Sequence, residues 1–184
     1  MEVTFLGKTS FKFKTKSLIL VVDPISSKEK ADVIVLTNDG GVREIAGAVN
    51  REKTFVIDRE GEYELGGVGI MVDRLELGKP GMVVRVSGDG VEVTHTGAVT
   101  VELEEKMKQK LTESDVLLVT LAKAVELIGA CEPYIAVLMG HENLAEVDRF
   151  LAAHKFETVK RDVEKLKLDA DSLPENTEVV VLNG

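Results

Sequence analysis

An α/β fold of two β-sheets covered by helices is what this sequence predicts, and three observations carry it. The first half of the 184-residue chain is a succession of short strand-like runs broken by turns. The second half changes period, alternating helix-like segments with further apolar strands. No linker, low-complexity segment or strong internal repeat divides the two halves, so a single domain over residues 1–184 is expected, large enough to bury its own core.

The elements follow in order. Glu2 to Leu6 alternates and stops at Gly7, and Phe11 to Lys14 alternates again. Leu18 to Val22 is a continuous apolar run closed by the turn pair Asp23-Pro24. Val33 to Leu36 reads as a buried strand and Thr54 to Ile57 as another. A hairpin runs through Gly61 and Gly66-Gly67 into Val68 to Val72. Met82 to Val86 and Val91 to Thr94 flank Ser87-Gly88-Asp89-Gly90, the strongest hairpin signal in the chain. Val99 to Leu111 is expected as a helix and Val116 to Thr120 as a strand. Ala122 to Ala130 is expected as a helix ending before Pro133. Tyr134 to Met139 is a strand, Leu144 to His154 an amphipathic helix, and Glu178 to Leu182 a closing strand.

Composition narrows the function. Hydrophobic residues make up 44% and charged residues 30%, as in a soluble globular chain, and with 4% aromatics the core must be mostly Val, Leu, Ile and Ala. A net charge of -9 argues against nucleic-acid or anionic-membrane partners, which need clustered cations. Lys8, Lys12, Lys14 and Lys16 are locally basic but interleave with Phe11 and Phe13, as the solvated face of a strand does. No run approaches the roughly 18 apolar residues that span a bilayer. The lone Cys131 permits no disulfide within the chain and sits in an apolar helix-like stretch, so a buried structural thiol in a reducing cytoplasm is expected.

The stretch ADVIVLTNDGGVREIA, Ala31 to Ala46, raises the functional question. An apolar strand runs directly into a polar, glycine-rich turn, the junction at which α/β proteins often place ligand-binding groups. The turn offers no histidine, no cysteine and one carboxylate, Asp39.

Several segments in order resemble the metallo-β-lactamase superfamily, and within it a small branch of zinc-dependent hydrolases related to ascorbate-phosphate lactonase. They are FLGKTSFKFKTKSLILVVDP, ADVIVLT, FVIDREGEYELGGVGI, VEVTHTG, SDVLLVTLA, EPYIAVLM and LPENTEVVVL, together covering nearly the whole chain. The resemblance implies an αββα four-layer sandwich, here trimmed, with a dinuclear metal site at one edge of the sheets. It also implies hydrolysis by a metal-bound hydroxide, held by several imidazoles and a bridging carboxylate.

The ligand positions do not follow the framework. Where the family has a (T/S)HxHxDH motif, its first histidine falls on Asn38, its second on Gly40, its aspartate on Val42 and its last histidine on Arg43. Asp39 occupies the variable position between the first two histidines. The histidine of the family's early GHS falls on Lys8, the bridging aspartate of its HTGD on Ala98, and the histidine of its late PMH on Gly140, with His141 next. The loop from Asp73 to Gly81 is shortened and has no histidine. His95 matches a family histidine that is not usually a ligand, and His154 is expected at the helix surface.

Three readings stay open on these residues. A non-catalytic binding or scaffold protein, engaging an unknown partner or a second copy of itself, needs no cofactor: none is predicted, zinc belonging to the family. A remodelled hydrolase would use one metal near Asp39, His95, His141 and Glu142. A small-anion sensor would use Lys8, Arg43 and the Gly40-Gly41 amides. Lys8 or Arg43 could also neutralise carboxylates such as Asp23 or Asp39 in place of metals, and Arg43 could equally be a surface residue at a helix start.

Overall fold

The computed structural model describes residues 1–26, 30–38, 53–75, 81–99 and 103–183. Five short strands build most of a first sheet: β1 (Glu2–Gly7), β2 (Ser10–Lys14), β3 (Ile19–Val22), β4 (Val33–Val35) and β5 (Phe55–Ile57). Next come β6 (Gly61–Leu65), β7 (Val68–Arg74), β8 (Met82–Gly88) and β9 (Val91–His95). Three helices then alternate with strands: α1 (Glu105–Leu111), β10 (Val116–Thr120), α2 (Leu121–Cys131), β11 (Ile135–Met139) and α3 (Leu144–Ala153). The chain closes with β12 (Thr158–Val163), β13 (Leu166–Lys167), a 3₁₀ turn over Ala170–Ser172, and β14 (Glu178–Leu182).

The first sheet has the order β13-β1-β2-β3-β4-β5, and the second β12-β14-β11-β10-β9-β8-β7-β6. Hairpin neighbours pair antiparallel, as does the edge pair β1–β13, while β9-β10-β11-β14, joined by longer segments, pair parallel. The hairpin at Asp89-Gly90 forms as expected, with both residues at positive φ, 53° and 80°, which matches the turn to strand twist.

Period-2 alternation sets the layers. Val3, Phe5, Phe11, Phe13, Leu20 and Val22 of the first sheet face Ile70, Val84, Val93, Leu118, Val137 and Val180 of the second in one sandwich core. The central strands β10 and β11 are buried on both faces, so Leu117, Val119, Ala136 and Leu138 turn away and pack under Met107, Leu111, Ala124, Leu127 and Val147 of the three helices. A third apolar cluster, Ile34 and Leu36 with Ala31 and Val56, lies on the outer face of the first sheet. The helix expected after Arg43 lies outside the described residues. Among the described residues no helix is long and apolar enough to cross a membrane.

Two expectations need correction. Among the described residues the helix foreseen from Val99 is helical over Glu105–Leu111; Val99 and Leu103 are buried ahead of it, and Glu104 is the extended N-cap residue. The segment between α3 and β14 showed no element in its pattern, yet contributes β12, β13 and the 3₁₀ turn. The strand β12, TVKRDV, is an edge strand with mostly exposed side chains, so no apolar alternation marks it.

Phe11 is fully buried, stacks on Phe5 at 5.1 Å and meets the His95 ring edge-on at 5.7 Å. Phe11→Ala is expected to cost about 3–5 kcal/mol, read as a lowered urea midpoint at unchanged m-value.

Candidate functional site

At one end of the sandwich five connections meet: the β1–β2 turn, the turn after β3, the residues after β4 and the loops after β9 and β11. Asp23 follows β3 in the left-handed region, φ 48°, and is buried. Its carboxylate accepts the Thr37 N–H at 2.7 Å, a very short bond from the Thr37 hydroxyl, and a longer one from the Thr9 hydroxyl at 3.4 Å. Buried ionised carboxylates persist only when so satisfied. The expectation that Lys8 or Arg43 would neutralise Asp23 is not met by Lys8: among the described residues no cation pairs with Asp23, and three hydrogen-bond donors meet its charge instead. Arg43, Asp39 and Gly40 lie outside the described residues.

Thr37 also closes the gap between sheets, since its carbonyl accepts the Met82 N–H at 2.9 Å. His95, fully buried at the end of β9, crosses to the first sheet from the other side. Its Nδ1 accepts the Gly97 N–H at 3.0 Å, which leaves Nε2 as the protonated nitrogen, donating to the Thr9 carbonyl at 2.7 Å. Burial pushes the His95 pKa down, against the raising pull of the Asp23 carboxylate and the Thr9 carbonyl. The ring is therefore a neutral strut with both nitrogens in use.

The loop after β11 is pinned to the same turn, Gly140 N–H donating to the Lys8 carbonyl at 2.8 Å. Gly140 is at φ 74° and Lys8 at φ 54°. His141 is buried against Phe5, ring centroids 5.4 Å apart, and its Nε2 has no hydrogen-bond partner. Burial lowers its pKa, opposed by Glu146. Asn143 caps α3 by accepting the Glu146 N–H at 3.2 Å, and the Glu146 carboxylate accepts the Glu142 N–H at 3.1 Å.

Of the positions singled out in the sequence, Lys8, His95, Gly140 and His141 thus converge through the β1–β2 turn. Ala98 is exposed just after the His95 loop, and Asn38 is half-buried one residue beyond Thr37. Cys131 is buried and free, its thiol pushed up to about 11 by burial, and His154 is exposed at the end of α3, as expected. The residues that organise the site, Thr9, Thr37 and Gly97, were missed. A hydroxyl residue directly after each of two apolar strands, Thr37 and Thr96, was the available signal. Gly97 carried one too, following a strand end with no helix after it.

The donor set does not suit a metal centre of the family type. Ala98 and Gly140 carry no donor atom, and the His95 nitrogens are already occupied by the backbone. Among the described residues no three His, Cys, Asp or Glu side chains gather so as to hold a metal ion. The single-metal arrangement of Asp39, His95, His141 and Glu142 is therefore unsupported at His95, and its Asp39 lies outside the described residues.

Comparison with known proteins agrees with the framework. A family described as "Beta-lactamase superfamily domain" matches residues 2–153, and the chain belongs to it. Among solved structures it is similar to a Thermotoga maritima member of the metallo-β-lactamase superfamily, with TM-score 0.79, 23% identity, and 98% of this chain and 97% of that one covered. It is also similar to the metallo-β-lactamase fold protein YhfI from Bacillus subtilis, with TM-score 0.64, 10% identity and coverages of 100% and 97%. An isothiocyanate hydrolase from Delia radicum gut bacteria aligns with TM-score 0.65, 8% identity and coverages of 92% and 100%. At these identities the likeness concerns the fold. No protein of curated function matches the chain in sequence.

Two outcomes test the geometry. A Cβ on Gly97, at φ 64°, would lie 2.6 Å from the Met82 carbonyl oxygen, so Gly97→Ala should lose at least about 2 kcal/mol in urea unfolding. Both His95 and His141 have folded-state pKa values below their ordinary 6.5, so the unfolded chain binds more protons as the solution acidifies. Stability is then fully present above 6.5 and falls as pH drops from there toward the folded values. Urea midpoints taken through this window should decline, and decline less steeply in His95→Gln and His141→Gln. An unchanged slope in both variants would assign the effect to other groups.

Proposed function

We propose that this chain is a non-catalytic member of its family, a binding or scaffold protein that keeps the hydrolase framework without the metal ligands. The observation carrying this reading is the state of the site edge: His95 is committed through both nitrogens to backbone groups, and Ala98 and Gly140 stand where the resemblance puts a bridging carboxylate and a ligating histidine. Asn38, Gly40, Val42 and Arg43 at the other four ligand positions add to it. A fold survives loss of its chemistry because core packing and ligand identity are separate constraints. The same reading takes residues 1–184 as one domain working in the cytoplasm, where a buried free thiol such as Cys131 stays reduced.

The test is the metal content of purified, untagged protein after dialysis and after reloading with Zn²⁺ or Mn²⁺, with phosphodiester and lactone hydrolysis assayed on the reloaded sample. Far less than one metal per chain and no hydrolysis are expected. Stoichiometric metal, lost in His141→Ala together with a measurable hydrolysis, would establish the remodelled-hydrolase alternative instead.

A further inference from the structure

The two sheets have four edges, β13 and β5 in the first and β12 and β6 in the second, and three of them are blunted. The strands β13 and β5 are short, two and three residues. The register of β12 shifts between Lys160 and Val163, with Asp162 left-handed at φ 58°. Its cations are already paired, Lys160 with Glu178 and Arg161 with Asp148. Shortness and irregularity both keep an edge from adding a further strand.

The fourth edge has neither device. The strand β6, GEYEL, runs in unbroken antiparallel register with β7 from Gly61↔Val72 to Leu65↔Val68, with no proline, lysine or bulge. Among the described residues its other side pairs with no strand, so alternate residues turn N–H and C=O groups outward.

Period 2 sorts the side chains of this edge. Tyr63 and Leu65 lie on the sandwich face, packed against the core. Tyr63 meets Phe55 of β5 edge-on at 6.1 Å, and Phe55 is 47% exposed. The edges of the two sheets thus share an open aromatic pair. Glu62 and Glu64 lie on the opposite face, both exposed, and neither makes an ion pair among the described residues. Their cross-strand neighbours, Met71 and Gly69, leave both charges unanswered.

Charge selects the occupant. A second copy adding its own β6 about a two-fold axis, faces matched, sets Glu62 against Glu64 or one of these residues against itself. Like charges directly opposed disfavour that pairing. A strand with lysine or arginine at alternate positions instead meets Glu62 and Glu64 with unlike charge. Its intervening residue then falls beside Tyr63 and Phe55, where an apolar side chain is covered.

We infer that β6 docks an extended segment of another protein, with basic and apolar residues alternating, as an added strand. The segment's backbone pairs with the β6 edge, its cations face Glu62 and Glu64, and its apolar side chain covers Tyr63 and Phe55. This surface shares no residue with the site described above, so the inference goes beyond the non-catalytic reading without depending on it.

The experiment titrates acetyl-TKVKVKT-amide into the untagged full chain at low salt, followed by amide NMR shifts and hydrogen exchange. Saturation below about 1 mM is expected, with shifts confined to β5, β6 and β7 and slowed exchange at alternate β6 amides. The composition-matched acetyl-TKKVVKT-amide and the acidic acetyl-TEVEVET-amide should each bind at least about tenfold more weakly. The double variant Glu62→Lys, Glu64→Lys changes two exposed side chains and should reverse the preference, losing the basic peptide and gaining the acidic one. No saturable response, equal binding of the rearranged peptide, or a preference unchanged in the double variant overturns the strand site. Shifts in β6 that grow with protein concentration alone assign the edge to a second copy and overturn it as well. The metal measurement decides the non-catalytic reading separately.

Discussion

The imidazole of His95 is the constraint on which this end of the molecule depends. Buried completely, it can be neither charged nor left unpaired without cost. One nitrogen takes a proton from its own loop at Gly97, and the other gives one to Thr9, 86 residues away in the opposite sheet. The ring thus measures the separation of the two sheets. The carbonyl at Thr9 sits in the turn whose Lys8 carbonyl receives Gly140, so the loops after β9 and β11 are both referred to one hairpin.

Asp23 does the same for the strands on the other side. The carboxylate fixes Thr37 through its amide and hydroxyl, and Thr37 then receives the Met82 N–H from the second sheet. His95 thus ties the sheets through its side chain, and Asp23 holds the Thr37 whose backbone carbonyl ties them again. Each bond contributes on the order of 1 kcal/mol net, but leaving either group unmet would cost more than any one bond supplies. This explains how loops so poor in ligating groups can still be well placed.

Most of the framework was legible because its signals are local. Alternation in Phe11 to Lys14, the Asp89-Gly90 hairpin, and the continuous runs at Val116 and Ile135 follow from strand period and turn chemistry. The polar edge strand β12 was not legible, because its pairing comes from a neighbouring backbone and leaves no mark on its side chains. At the site, the departures from the family motif were readable one by one against its pattern. The hydrogen bonds that organise it were not, since the pairing of Asp23 with Thr37 and of His95 with Thr9 joins residues 14 and 86 apart. No spacing rule connects such residues. A compensating cation at Asp23 was one reading among several; among the described residues Thr9 and Thr37 donors meet the carboxylate, while Arg43 lies outside them.

On the non-catalytic reading, that distinction between donors and a cation bears on how this edge of the fold is stable without ions. A dinuclear centre gathers carboxylates and imidazoles whose mutual repulsion and burial are offset only by the ions they hold. On that reading, Ala98 and Gly140 at two such positions remove part of that repulsion along with the need for ions. Among the described residues Asp23 is the one buried carboxylate, and hydroxyl and amide donors meet it. On the non-catalytic reading the hydrogen bonds of Asp23 and His95 hold this edge together without a ligand. His141 is the exception among the histidines, buried with Nε2 unmet. Among the described residues this nitrogen and the Ser10 hydroxyl, at the start of β2, are the buried side-chain polar atoms without a hydrogen-bond partner.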